Sequence, residues 1–275
     1  MAVDDRDRHP GEQRGPVEQR GPVERDRPVA LITGASGIAA ATARALASAG
    51  HDLLVVDRNA TNLDSVRFAL PDAIPFEVDL CTPGAADAAV KAAVDGFGRL
   101  DVLVNVVGIS GRRFGDGPVH ECTDEGWRVV MSTNLDTTFH MCRAALAPMI
   151  AARSGSIVNV ASVLGYAPAG GLFATHSYAA SKGAIISLSR AMAAYYAAMR
   201  IRVNVVAPGL IATPMSTRAQ NDTATREYLR IRQPLTGDFG TPDDVAGAIE
   251  YLATARSSFV TGVVLEVAGG WSIAG

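Results

Sequence analysis

Short runs of Val, Ile and Leu recur along this chain, each followed by a longer Ala-rich segment, and that alternation leaves few folds open. Val29 to Thr33 reads as a strand, Ala39 to Ala49 as a helix and Asp52 to Asp57 as a second strand, a βαβ unit of nearly minimal length. The pattern continues through a strand at Ala73 to Val78, a helix at Gly84 to Phe97 and a strand at Val102 to Val106. Further strands are expected at Ser156 to Ala161, Arg202 to Ala207 and Val263 to Val267, with helices between them that include Tyr178 to Met199. Strands this continuously apolar belong in a parallel sheet with both faces covered, which predicts a doubly wound α/β fold with helices on both sides. No composition break divides residues 29–275, so one domain is expected there.

The 275 residues suffice for one substantial core. With 48% hydrophobic and 19% charged residues and a formal charge of −3, the chain has no basic excess for nucleic acid and is neither wholly disordered, coiled coil nor collagen. Cys81, Cys122 and Cys142 show neither disulfide nor metal-ligand spacing, which points to a reducing compartment and no metal site. No apolar run approaches the roughly 18 residues of a membrane span, and no secretion signal is visible, so a cytoplasmic protein is expected. Residues 1–28 read as a flexible polar tail in which EQRGPV, EQRGPV and ERDRPV follow one another from Glu12; its seven acidic and six basic residues nearly balance.

The turn Thr33-Gly34-Ala35-Ser36-Gly37 joins the first strand to a helix, where glycine lets backbone donors approach a phosphate and the helix N-terminus favours its charge. Such turns also occur without ligands, and the spacing is not GxGxxG. Asp57, 23 residues after Gly34, closes the second strand where a carboxylate can accept from both hydroxyls of an adenosine ribose. Its charge repels a 2′-phosphate while Arg58 partly offsets that, so NAD is favoured over NADP. Asp79 follows the third apolar run and can meet an adenine edge; both acids are otherwise ordinary turn residues.

The chain has two lysines, Lys91 and Lys182, and Lys182 stands four residues after Tyr178 on one face of the expected helix. A nearby ammonium favours tyrosinate, lowering a phenol pKa of about 10 toward the range useful for proton transfer. Ser162, after its strand, can hold a substrate oxygen, and Asn134 can hold a lysine-linked water chain through side chain or backbone. Taken singly, Ser162 and Asn134 read equally as turn or helix caps.

In this order the residues resemble the short-chain dehydrogenase/reductase family, in its classical branch, from about Val29 to Trp271. The resemblance implies a Rossmann-like domain with a seven-stranded sheet, NAD(P)-dependent oxidation or reduction, and a homotetramer, or a homodimer. The family's TGxxxGxG turn falls on Thr33 to Ala39, its NNAG strand end on Asn105-Val106-Val107-Gly108 and its PG segment on Pro208-Gly209. The catalytic set implied is Asn134, Ser162, Tyr178 and Lys182. Cofactor contacts are implied for Gly34, Ser36, Gly37, Ile38, Asp57, Arg58, Asp79, Leu80, Asn105, Val106, Gly108, Pro208, Gly209, Ile211 and Thr213, beside Tyr178 and Lys182. The chain departs from the family at the turn, where two residues instead of three separate Gly34 and Gly37 and Ala39 replaces the last glycine. Val106 and Val107 replace Asn-Ala, and Val267-Ala268-Gly269-Gly270 lacks the usual acid.

The interval from Ser162 to Tyr178 is longer than is common in the family and can cover the mouth of a site; Leu164, Tyr166 and Leu172 offer an apolar wall and His176 a polar contact or a water-facing ring. Residues 209–240 are expected to form one or two short helices over substrate, with Met215 as a specificity residue. The composition fits an NAD-dependent enzyme interconverting a secondary alcohol and a ketone, on a small or medium apolar or alicyclic molecule. An NADPH-dependent ketoreductase of natural-product or lipid metabolism is the alternative within the class. A catalytically silent dinucleotide sensor or interaction protein is the alternative outside it.

Overall fold

The computed structural model describes residues 27–274, so nearly all of the tail and its repeat lie outside the described residues. The chain runs β1 (Val29–Thr33), α1 (Ile38–Ser48), β2 (Asp52–Asp57), α2 (Ala60–Ala69), β3 (Ile74–Glu77), α3 (Ala85–Phe97) and β4 (Val102–Asn105). It continues through α4 (Asp124–Met131), α5 (Thr137–Ala152), β5 (Gly155–Val160), α6 (His176–Tyr196) and β6 (Ile201–Pro208). Then come α7 (Thr217–Gln220), α8 (Thr223–Arg232), α9 (Pro242–Ala253) and β7 (Val264–Val267). All seven strands are parallel, in the order β3-β2-β1-β4-β5-β6-β7.

Strand periodicity explains the two layers of helices. In β1, Val29 and Leu31 face a core shared with α3, α5 and α6, whereas Ala30 and Ile32 face one shared with α1, α2 and α9. Every residue of β1 is buried, as a central parallel strand requires. The expected bounds of β1 and β2 are met. The strand expected at Ala73 to Val78 is shorter at both ends, because an edge strand with alternating exposure has weaker apolar limits. The strand expected to reach Val106 stops at Asn105, since the amides of Val106 and Val107 turn to the Thr33 hydroxyl at 3.0 and 3.3 Å.

The strand order reverses between β1 and β4, and the crevice at the carboxyl ends beside such a switch is where open α/β sheets bind ligands. Thr33, Asn105 and Asn159 lie in register across β1, β4 and β5 and mark that edge. Among the described residues no helix is long and apolar enough to cross a membrane.

Candidate active site

The turn after β1 is shaped by its glycines. Gly34 (φ +92°) and Gly37 (φ +53°) adopt conformations that a side chain resists, and a Cβ on Gly37 would stand 3.1 Å from the Thr213 side chain. Thr213, just after β6, is thereby placed against the turn. No side chain caps α1, so its amino end presents backbone donors toward the crevice. Asp57 braces the turn from β2: its Oδ2 accepts from the Ala35 amide at 2.8 Å and its Oδ1 from the Asn59 amide at 2.9 Å. Arg58 forms an exposed ion pair with Asp79 at 3.3 Å. The Cys81 amide, assisted by Arg58, holds the Asp79 carboxyl below its ordinary range. Leu80 and Ile211 are buried, and a Cβ on Gly209 would collide with Gln233 and Ala268.

These features fit a dinucleotide: an uncapped helix end for the pyrophosphate, an acid at the end of β2 for the ribose, and Asp79 farther out. The cradle continues to Gly108, where a Cβ would lie 3.2 Å from Asn134 Oδ1 and 3.4 Å from Lys182 Nζ. The tightened turn brings the Ala39 methyl within 3.3 Å of a Cβ built on Gly34.

The four residues of the expected catalytic set converge at the ends of β4 and β5. Tyr178 is the third residue of α6, and its phenol is hydrogen-bonded to the Ser162 hydroxyl just beyond β5. Ser162 Oγ also accepts from the Leu164 amide at 3.2 Å. Lys182, one helical turn on and 3% exposed, donates from Nζ to the Val160 carbonyl at 2.9 Å and lies 5.7 Å from the Tyr178 ring centre.

Asn134 sits in a π-helical turn, Ser132–Asp136, between α4 and α5. Such turns recur at functional sites because they re-aim one side chain. Its Oδ1 accepts from the Ile109 amide at 2.8 Å, and its Nδ2 donates to the Ile109 carbonyl and to Ser181 Oγ, both at 3.1 Å. The side chain is therefore committed to tying the loop after β4 to α6. Any contact of Asn134 with a water chain is left to its backbone carbonyl, which already accepts from Thr138 Oγ1 at 2.8 Å. Ser181, missed in the sequence reading, completes the tie by donating to the Tyr178 carbonyl at 2.8 Å; its signal is its place three residues after Tyr178.

The electrostatics differ from expectation in one respect. Burial pushes the Tyr178 phenol above its ordinary value, against a smaller downward pull from the Ser162 hydroxyl. Burial also pushes Lys182 down to about 8. The expectation of a lowered phenol considered the neighbouring charge alone, whereas desolvation of both groups opposes it.

Around the mouth, Leu164 is buried and packs in a cluster with Trp271 and Leu229, while Met215 is 54% exposed. The His176 ring is exposed, but its Nδ1 accepts from the Val119 amide at 3.0 Å, so it serves the fold of the neighbouring loop. Two short helices, α7 and α8, occupy the segment after β6 as expected. Arg112, which no motif marked, donates to the Leu172 carbonyl in the loop between Ser162 and Tyr178.

A dinucleotide cradle beside a Ser-Tyr-Lys cluster defines an NAD(P)-dependent oxidoreductase acting on CH–OH groups, and the comparisons agree. The family described as Enoyl-(Acyl carrier protein) reductase matches residues 32–272. The chain belongs to the short-chain dehydrogenase/reductase family. It is 40% identical over 248 residues to cis-4-hydroxycyclohexanecarboxylate dehydrogenase of Sinomonas cyclohexanicum, covering 88% of this chain and 96% of that protein. It is 38% identical over 246 residues to 3-oxoacyl-[acyl-carrier-protein] reductase FabG of Thermotoga maritima, covering 87% and 96%. A solved structure described as ribose-5-phosphate isomerase from Brucella melitensis superposes with a TM-score of 0.82 at 34% identity, covering 92% of this chain and 95% of that one. The protein thus interconverts alcohols and ketones using NAD or NADP.

Proposed function

We propose that the protein is an NAD-dependent secondary-alcohol dehydrogenase, reversible as a ketone reductase, acting on a small or medium apolar or alicyclic molecule. The observation that carries this reading is the hydrogen-bonded Ser162–Tyr178 pair with Lys182 one helical turn away, at the carboxyl edge beside the strand switch. In oxidation, Ser162 holds the substrate hydroxyl and Tyr178 removes its proton. Lys182 steadies the tyrosinate charge. Asn134 fixes the wall between the loop after β4 and α6. The bound nicotinamide supplies the hydride acceptor, or the donor in reduction. The single domain of residues 29–275, a cytoplasmic setting and a homotetramer or homodimer belong to the same reading. Exposed Phe139, Ile150 and Tyr195 on α5 and α6 support self-association.

The preference for NAD is supported by Asp57 together with the pairing of Arg58 to Asp79, which engages the nearest cation that would welcome a 2′-phosphate. An alicyclic substrate is supported by the Sinomonas relative, whose name specifies a hydroxylated cyclohexane ring. Cyclohexanol and cyclohexanone with each cofactor, followed by nicotinamide absorbance, test the assignment. Asp57→Asn is expected to lower kcat/KM with NAD about tenfold and to narrow the NAD/NADP ratio by at least that much. A wild-type preference for NADP would remove the assignment of Asp57 and favour the NADPH-dependent ketoreductase. Dinucleotide binding without turnover of any alcohol or ketone would favour the silent sensor.

A ring that also bears a carboxylate is a second reading, favoured by Arg112. Its guanidinium is partly desolvated, lies close enough to Arg218 for the two charges to repel, and forms no ion pair among the described residues. Arg112→Ala should lower kcat/KM about tenfold for cis-4-hydroxycyclohexanecarboxylate and leave cyclohexanol unaffected. Equal losses on both would dismiss this reading.

A further inference from the structure

The loop after β4 and the first turn of α6 are joined by a buried carboxylate. Asp116 is 6% exposed, and its Oδ1 accepts from the Ser177 amide at 3.0 Å while its Oδ2 accepts from the Tyr178 amide at 3.1 Å. These are the second and third residues of α6, whose amides a local capping side chain ordinarily satisfies. Thr175, at the capping position, makes no such bond. The remaining first-turn amide, that of His176, donates to the Gly117 carbonyl at 3.1 Å. The amino end of the helix that carries Tyr178 is therefore capped by a loop about 60 residues earlier in sequence.

Asp116 is itself held firmly. Its amide donates to the Gly111 carbonyl at 3.2 Å, and the backbone at Gly111 (φ +74°) passes so near that a Cβ there would stand 2.8 Å from Asp116 Cβ. Thr123 closes the loop, donating through its hydroxyl to the Phe114 carbonyl at 3.1 Å and through its amide to the Gly115 carbonyl at 3.0 Å. Cys122 Sγ lies 3.1 Å from Ser177 Oγ and seals the junction. A buried carboxylate costs several kcal/mol unless donors compensate it. Here two amides and the positive end of α6 do so.

We propose that Asp116 is a positioning residue for the proton-transfer tyrosine: its two carboxylate oxygens fix the height of Tyr178 on the sheet edge, and so the meeting of its phenol with Ser162. The inference rests on the reading of Tyr178 as the proton-transfer group. Ser162 is held by β5, whereas Tyr178 stands on the first turn of α6, the part of a helix that frays most readily. A displacement of about 1 Å at a reacting group can cost on the order of a hundredfold in rate.

The full-length protein, Asp116→Asn and Asp116→Ala are compared in cyclohexanol oxidation with NAD, together with backbone amide exchange at Ser177 and Tyr178. Asn keeps one acceptor oxygen and turns a donor toward the other amide; Ala keeps neither oxygen. The expected result is a fall in kcat per folded molecule of about tenfold for Asp116→Asn and more for Asp116→Ala, with KM for NAD within about twofold. Exchange at Tyr178 should accelerate about tenfold or more in both. A merely structural role would lower the folded fraction and leave kcat per folded molecule unchanged, so a value within about twofold of wild type in folded Asp116→Ala overturns the proposal. If the wild type does not oxidise cyclohexanol, it is the substrate reading that fails, and exchange alone judges Asp116. Protection of both amides in the wild type that is lost in Asp116→Asn supports the role, and unchanged protection defeats it. Should neither variant fold, slow exchange of these two amides in the wild type supports the role and exchange at the unprotected rate overturns it.

Discussion

Tyr178→Phe is expected to lower kcat for alcohol oxidation by about a thousandfold, near 4 kcal/mol of transition-state stabilisation, while NAD binding persists. The substitution removes one oxygen and keeps the ring, which packs with Val163, Leu164 and Trp271. The only printed partner lost is the Ser162 hydroxyl, which still accepts from the Leu164 amide, so the cost in stability should be about 1 kcal/mol. Ser162 can orient the substrate hydroxyl but, as a neutral alcohol, is a poor acceptor for its proton at neutral pH. Steady-state rates with cyclohexanol, beside dinucleotide titration by fluorescence, check the prediction. Turnover retained in the folded variant would falsify the role given to Tyr178.

Lys182→Met should lower kcat at neutral pH by about a hundredfold and move the rise of alcohol oxidation to higher pH. The direction follows from charge: an ammonium near the phenol favours tyrosinate, so removing it raises further a phenol that burial already holds above its ordinary value. Stability responds in the opposite sense. The folded protein gives up the Lys182 proton at about 8, against 10.5 for an ordinary lysine, so between those values the unfolded chain holds more protons and stability rises with pH. The shift is equivalent to about 3 kcal/mol against the buried ammonium below that window. Met, of similar length and without charge, should therefore leave the Tm near neutral pH no lower, apart from the lost bond to the Val160 carbonyl, and should flatten the rise between about pH 8 and 10.5. Urea denaturation across that range, with pH–rate profiles, measures both effects. A rate profile that does not move would separate Lys182 from Tyr178.

Local composition carried most of the fold. β1 and β2 have sharp ends because a fully apolar run meets Gly34 at one and the charged Asp57-Arg58 pair at the other. β3 blurs because its side chains alternate in exposure at the sheet edge. Tyr178 and Lys182 could be paired in advance because a helix brings residues four apart together, and Gly34 with Asp57 because a βαβ unit returns each strand end to the same edge. The π-helical turn at Asn134 has no such signature: Ser132 to Asp136 read as ordinary helix or cap. Asp116 and Arg112 were illegible for a different reason. Their partners, Ser177, Tyr178 and Leu172, lie some 60 residues away, and nothing in a glycine-rich loop states which distant backbone it will meet.

The last residues described are bound to the mouth of the site. Trp271 donates from its indole to the Ala167 carbonyl at 3.1 Å, Glu266 accepts both from Tyr166 Oη at 2.7 Å and from the Ser272 amide at 3.2 Å, and Arg232 reaches the Ala274 carbonyl at 2.9 Å. An affinity tag or fusion partner joined after Gly275 would emerge beside the substrate entrance and pull on the loop that forms its rim. The same addition ahead of Arg27 would leave from the opposite end of β1, which makes that side the safer handle for immobilising a working enzyme.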